Sequence, residues 1–197
     1  MIQAYAGGRL LDLGCGMAPL YLVYKDYVRE ITCVDWADSH SPSPFADICA
    51  DINCSLPFGD GVFDTVLVSD VFEHVYNPDL LWAEIFRVLK SGGHVLAGIP
   101  FFYNLHEEPH DYFRYTEFAI RHFCNKHGLK LLSLESTGGS PEVLVNFIVK
   151  HLGFSKTLSL FVGISGSFLM SLFLVRKISE KTRNKFPLGY SIVAQKK

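Results

Sequence analysis

Charge is scarce in this chain: Asp, Glu, Lys and Arg make up 19% of its 197 residues, against 49% hydrophobic residues. Disordered chains have the opposite balance, so a single folded domain with a substantial core is expected. Among the five cysteines, Cys15, Cys33, Cys49, Cys54 and Cys124, no two stand at C-x-x-C spacing. Their odd number and their places in apolar runs argue against a disulfide framework and for buried thiols in a reducing, cytoplasmic compartment. The first eight residues lack both a basic leader and an apolar core, so no signal peptide is expected. Internal repeats and low-complexity tracts are missing as well. Net charge is small, −2, but unevenly spread. Residues 1–140 hold 9 basic and 18 acidic side chains (−9), and residues 141–197 hold 9 and 2 (+7). The acidic part lacks the basic stripe that a nucleic-acid partner requires.

What is present is an alternation of apolar runs and helix-patterned stretches, the signature of an α/β fold with a parallel sheet covered on both faces. Strands are expected at residues 9–13, 31–34, 47–50, 65–69, 94–99, 129–134 and 190–195. One helix follows the first strand. Another spans residues 78–90, with Leu81, Ile85, Val88 and Leu89 on one face, and a third spans 116–127, with Ala119, Ile120 and Phe123. Ser91-Gly92-Gly93 ends the second and starts a strand. Only eight residues precede the first strand, so no covering N-terminal helix is expected.

The first strand enters a glycine turn, Gly14-Cys15-Gly16-Met17-Ala18-Pro19. Such a turn brings bare backbone N–H groups and a helix N-terminus to a ligand. The next apolar run ends in Asp35, and a carboxylate about 20 residues beyond the turn is where α/β nucleotide folds hold ribose hydroxyls. A dinucleotide fingerprint places a third glycine where Pro19 stands, which disfavours a pyrophosphate and with it a nicotinamide-dependent oxidoreductase. Pro19 suits a first helical turn. An αβ turn without a ligand is the plainer alternative. Asp12 either bonds turn amides or faces a ligand, Asp51 either turns the chain or binds, and Asp70 either caps the next helix or binds.

Taken in order, LLDLGCG, Asp35, ADINCSLPF and FDTVLVSDVFEHV resemble the class I S-adenosylmethionine-dependent methyltransferases, in particular the type 11-like group, from Leu10 to about Pro100. The resemblance implies a Rossmann-like, seven-stranded mixed sheet with the last strand antiparallel, S-adenosylmethionine as cofactor, and methyl transfer as the reaction. It assigns the methionine part of the cofactor to Asp12, Gly14, Cys15 and Gly16, the ribose to Asp35 with Trp36 beside it, and the adenine amino group to Asp51 with Ile52. Asp70 falls at the end of the fourth strand. Ala18 departs from the family, where many members keep a glycine. A cationic sulfonium with an adenine amino donor and a ribose diol requires separated acceptors, and Asp35 and Asp51 supply two. The Glu73-His74 pair fits a structural role better than a base.

Residues 100–116, PFFYNLHEEPHDYFRYT, follow the fifth strand, where ligands of parallel sheets bind. They are the candidate acceptor site. His106 or His110 would take a proton from an acceptor, with Asp111 orienting one imidazole, and Tyr103, Tyr112, Arg114 and Tyr115 would line the pocket. The alternative is a packed loop in which Arg114 pairs with Asp111 or Glu108 and Thr116 caps a helix. No metal site is expected. Residues 157–175 run 19 long without a charge, near the length that spans a bilayer, but with glycine and serine at the centre. A final strand beyond them that completes the sheet would exclude a single crossing. The flanking lysines and arginines suit helices lying in a headgroup layer, with an amphipathic helix over 141–152 beside them. Three readings stand: interfacial, buried or spanning. The expected layout is a methyltransferase core at 1–140, an apolar, basic helical insertion at 141–189 with membrane contact through 141–185, and the last strand at 190–197. The acceptor is expected to be a small molecule, a glycan or a lipid-linked compound at the inner face of a membrane. The rival is a binding module of the same fold that acts through its apolar tail without turnover.

Overall fold

The computed structural model describes residues 1–36, 43–152 and 154–197. Among them, a seven-stranded sheet is built from β1 (Arg9–Leu13), β2 (Glu30–Asp35), β3 (Ile48–Cys49), β4 (Phe63–Ser69), β5 (Leu89–Pro100), β6 (Leu129–Thr137) and β7 (Gly189–Lys196), in the order β3-β2-β1-β4-β5-β7-β6. β1 pairs in parallel with β2 and β4, and β4 with β5. The sheet is mixed, and β7 is antiparallel, so the expected Rossmann-like architecture holds. Leu10, Leu11 and Leu13 of β1, Val66 and Val68 of β4 and Val95 to Ala97 of β5 are fully buried, as continuous apolar runs with both faces covered require.

Seven helices are described: α1 (Ile2–Tyr5), α2 (Tyr21–Tyr24), α3 (Pro78–Val88), α4 (Glu117–Lys126), α5 (Ser140–His151), α6 (Lys156–Ser171) and α7 (Phe173–Thr182). The helix after the glycine turn is a single turn, α2, and a single-turn α1 stands before β1 where no helix was expected. Leu20 and Ile2 pack with Ala6 against a core of Leu10, Tyr24, Leu67, Leu96 and Val193. α3 begins as its sequence dictates, with Asn77 accepting from the Leu80 N–H and Pro78 in the first turn. It ends at Val88, two residues short of expectation, because Leu89 has already turned extended into β5. Trp82 of α3 stacks on Phe72 at 4.5 Å and on Phe123 of α4 at 6.2 Å. Thr116 caps α4 through the Ala119 N–H.

The chain divides into two compact units. One comprises Met1–Ile99, Glu107–Leu134 and Ser191–Lys197, and the other Pro100–His106 and Glu135–Tyr190. In the second, a Cβ on Gly166 of α6 would meet Val145 of α5 at 2.6 Å, so these helices approach closely where glycine allows it. The Ser140 backbone N–H and hydroxyl reach Thr182 Oγ1 at 3.0 and 3.1 Å, joining α5 to the end of α7. The 19-residue uncharged run is not one helix. It breaks at Leu172, and the helical segments on either side, Val162–Ser171 and Phe173–Thr182, are bent by 89°. No single described helix is long and apolar enough to cross a membrane. All five cysteines are free, and Cys15, Cys33 and Cys124 are buried as expected. Cys49 and Cys54 are exposed instead, because they belong to the edge strand β3 and the turn after it.

Candidate cofactor site and its flanking loop

Gly14 and Cys15 close the turn after β1 by donating their N–H groups to the Val34 carbonyl, at 2.8 and 3.0 Å. Gly14 has a φ of +73° and its missing Cβ makes room for Val71, so this position requires glycine. Gly16, φ +52°, differs: an added Cβ would meet nothing within 4 Å. Its open side borders a cleft of about 280 Å³ lined by Asp12, Gly14, Cys15, Gly16, Met17, Pro19, Leu20, Ser69 and Asp70. The expected residues Asp12, Gly14, Cys15, Gly16 and Asp70 are thus brought together, and Ser69, Met17, Pro19 and Leu20 join them.

Asp35 is tied to the turn. One carboxylate oxygen accepts from the Gly16 N–H at 3.0 Å and the other from the Trp36 N–H at 2.8 Å. A carboxylate has about four acceptor positions, so two backbone bonds orient Asp35 and leave capacity for a diol. Asp12 is buried and accepts from the Tyr24 hydroxyl at 2.7 Å, with no turn amide involved. Burial raises the Asp12 pKa, the Tyr24 bond opposes that, and the charge of Asp35 adds to it. Tyr24 of α2 reaches Asp12 of β1 across 12 positions, and a buried tyrosine hydroxyl requires such a partner. Asp70 has φ +54°, a conformation uncommon for any residue but glycine, and its N–H donates to the Gly98 carbonyl at 2.9 Å. Ser69 donates to its carboxylate at 3.2 Å. Asp51 turns the chain: its Oδ1 accepts from the Asn53 backbone and side-chain amides at 2.9 and 3.0 Å, with Ile52 half-buried between them.

The loop after β5 is pinned to the 3-10 turn Phe72–His74 that follows β4. His74 Nδ1 donates to the His110 carbonyl at 2.8 Å, the Tyr112 N–H donates to the Glu73 carbonyl at 2.8 Å, and the Tyr115 hydroxyl donates to the Phe72 carbonyl at 3.3 Å. The His110 ring meets the Trp36 ring edge-on at 4.8 Å, and its Nδ1 lies 3.0 Å from the Tyr112 hydroxyl. A histidine from the loop after β5 thereby stands beside the residue that follows Asp35. Asp111 is held by Arg114 through two bonds of 2.5 and 2.7 Å, the pairing expected of a packed loop. Tyr115 is 5% exposed; it supports the loop from the core and does not line an open pocket. Tyr112 is exposed. Tyr103 and His106 belong to the other compact unit. There the two rings meet edge-on at 5.0 Å, Lys150 lies over the Tyr103 ring, and His106 Nδ1 donates to the Asn104 carbonyl.

Residues 11–97 match a family model described as a methyltransferase domain. Over that segment, just under half of the chain, the protein is similar to S-adenosylmethionine-dependent methyltransferases. The match begins in β1, inside the glycine-turn strand, and ends in β5, so it takes in the whole cleft. The domain is 32% identical over 105 residues to 24-methylenesterol C-methyltransferase 2 of Oryza sativa subsp. japonica, over 47% of this chain and 29% of that protein. It is 29% identical over 101 residues to a demethylmenaquinone methyltransferase of Renibacterium salmoninarum, over 49% of this chain and 43% of that one. The chain thus spans less than half the length of these relatives. Its fold matches the crystal structure of a Burkholderia thailandensis 1,6-didemethyltoxoflavin-N1-methyltransferase with bound 1,6-didemethyltoxoflavin and S-adenosylhomocysteine, with a TM-score of 0.59 at 13% identity over 95% of this chain and 70% of that one. The residues present fit the family's cofactor, S-adenosylmethionine. Gly16 leaves open room on the cleft side, Asp35 is aimed by two backbone bonds, and the buried Asp12 suits a cationic ligand.

Proposed function

We propose that this protein transfers a methyl group from S-adenosylmethionine to an apolar, lipid-class acceptor in the cytoplasm at the inner face of a membrane. The observation that carries the cofactor half is the coupling of Asp35 to Gly16 beside the open side of the turn. Two named relatives, a sterol C-methyltransferase and a demethylmenaquinone methyltransferase, act on apolar ring compounds and support the acceptor class. Free thiols at all five cysteines support a reducing compartment.

S-adenosylmethionine supplies a methyl carbon on a positive sulfur that leaves with the bonding electron pair as a neutral thioether. Gly14, Cys15 and Gly16 cradle its methionine part, Asp35 accepts from the ribose hydroxyls, and Asp51 with Ile52 borders the adenine. Asp12 and Asp70 supply negative potential for the cation. His110 takes the proton that the acceptor gives up, and Tyr112, 3.0 Å from its Nδ1, fixes the ring. Arg114 holds Asp111 and with it the backbone turn that presents His110.

Labelled methyl donor tests this reading. Incubated with the protein and a bacterial lipid extract, it should place label in the organic phase, and His110→Ala should slow that transfer by about 10² to 10⁴ while cofactor affinity is kept. Label found only in a water-soluble extract would overturn the lipid assignment. Tight cofactor binding with no transfer in either extract would make the protein a binding module.

A further inference from the structure

We propose that α5, α6 and α7 form a docking face for the headgroup layer of an anionic lipid bilayer. Along α6, Leu160, Ile164 and Phe168 recur at four-residue spacing and are each 63 to 66% exposed. Phe147 of α5 and Phe173 and Leu174 of α7 are exposed by 68 to 72%. A water-facing helix would not normally show such a stripe.

The exposed side chains are not what holds these helices together. That role falls to Gly166 against Val145, to the Ser140–Thr182 bonds and to the close approach of Gly139 to the Ser179 carbonyl. The apolar stripe is therefore surplus to the internal packing. Two hydroxyls of α6 bond to the helix itself: Ser167 donates to the Gly163 carbonyl at 2.9 Å and Ser171 to the Phe168 carbonyl at 2.6 Å. Such hydroxyls enter an apolar layer at little cost.

Charge selects the occupant. Residues 176–185 hold five basic side chains, Arg176, Lys177, Lys181, Arg183 and Lys185, against the single acid Glu180. Lys177 lies over the Phe173 ring at 4.6 Å, so a cationic head and an aromatic face occur at one level, as at a membrane boundary. A second copy of this chain would bring a like charge to the same face. A single crossing is at odds with β7, which lies beyond the run in sequence and belongs to the same sheet as β1 to β6; the 89° bend at Leu172 is then that of a re-entrant pair. A bent apolar pair with a basic rim suits a layer that it enters and leaves on the same side.

Vesicle flotation with the full chain decides it. At 150 mM salt the protein should float with vesicles of 70% phosphatidylcholine and 30% phosphatidylglycerol and bind pure phosphatidylcholine at least tenfold more weakly. Each basic residue removed should cost about fivefold, so R176Q/K177Q/K181Q should bind the anionic vesicles roughly 100-fold more weakly. F168S/F173S should weaken binding to both compositions, since the apolar contribution does not depend on headgroup charge. Both variants alter exposed side chains; unchanged circular dichroism and cofactor affinity would establish that they fold, and should either fail to, the salt and lipid dependence of the parent chain still decides. The idea is overturned if the parent chain does not float, if it forms a dimer that F168S/F173S dissolves without any vesicle binding, or if it resists carbonate extraction as a span. Methyl transfer is not read here, so the acceptor assignment can fail while this face stands, and the reverse.

Discussion

Asp12 lies in the cleft wall with its charge removed from water, and Asp35 nearby raises the cost of ionising it further. A cation bound in the cleft favours the ionised form, so cofactor binding is linked to proton release. Affinity for the sulfonium cofactor should rise with pH until Asp12 is ionised in the free protein, and affinity for the uncharged S-adenosylhomocysteine should rise less. Calorimetry in two buffers of different ionisation enthalpy checks this, and equal proton release for both ligands would contradict it. Asp35→Ala removes the brace on Gly16 and the charge-assisted bonds proposed to the ribose diol, and should cost on the order of 2 to 4 kcal/mol of cofactor binding. Glu73 gives a second pH signature. Its side chain is fully buried, and that burial, with the charge of Asp70 adding, pushes its pKa from 4.5 up to about 8. Glu73 is then protonated at neutral pH, and the 3.7 Å approach of His74 is not an ion pair. Because the folded pKa lies above the unfolded one, this contribution to stability is complete below about pH 4.5 and is lost as pH rises through about 8, a change of a few kcal/mol. Denaturant midpoints from pH 5 to 9 should fall, and Glu73→Gln should flatten the profile.

α3 shows what one element does for the site. Glu84 accepts from the Leu56 N–H at 2.6 Å and pairs with Arg87, which also bonds the Leu56 and Phe58 carbonyls and Asp60. These bonds fix the segment between Asp51 and β4. Arg87→Met should lower stability by roughly 2 kcal/mol, since it leaves the nearly buried Glu84 without its cation; a melting temperature within 1 °C of the parent would refute the role. The lowered pKa of Glu84, due first to Arg87, means that this contribution is present above its unfolded pKa and fades as pH falls. Element identity was legible where a local rule applied: the continuous apolar runs of β1, β4 and β5, the Thr116 cap, and the apolar face of α3. It was not legible where neighbours decide. The turn following Gly16 yields only four helical residues, and the uncharged run bends at Leu172 although nothing in its composition marks that residue. At the site, the glycine turn and Asp35 stood in a recognisable order. Tyr24 as the partner of Asp12, and the pinning of residues 110–115 to Phe72–His74, depend on contacts across 12 to 43 positions and have no local signal.

On the scale of the whole chain, the −9 of residues 1–140 and the +7 of residues 141–197 fit the two roles proposed above, cation binding in the sheet cleft and attraction to an anionic surface. The strands that frame the cleft are the most buried part of the molecule, whereas α6 and α7 expose much of their apolar surface. Backbone amides of β1, β4 and β5 should therefore exchange hydrogen only through global opening, and those of α6 and α7 by local opening at far lower free energy. S-adenosylhomocysteine at 100 times its dissociation constant should stabilise the native state by about 2.7 kcal/mol. That gain should appear as slower exchange in β1, β2 and β4, which carry residues proposed to hold the ligand, and leave α6 and α7 unchanged. Anionic vesicles should do the opposite, protecting α6 and α7 and leaving β1 as it was. Peptide-resolved exchange with each ligand alone separates the two; protection of α6 and α7 by the cofactor product to the same degree as β1 would mean that one cooperative unit spans the chain and that the division of labour is false.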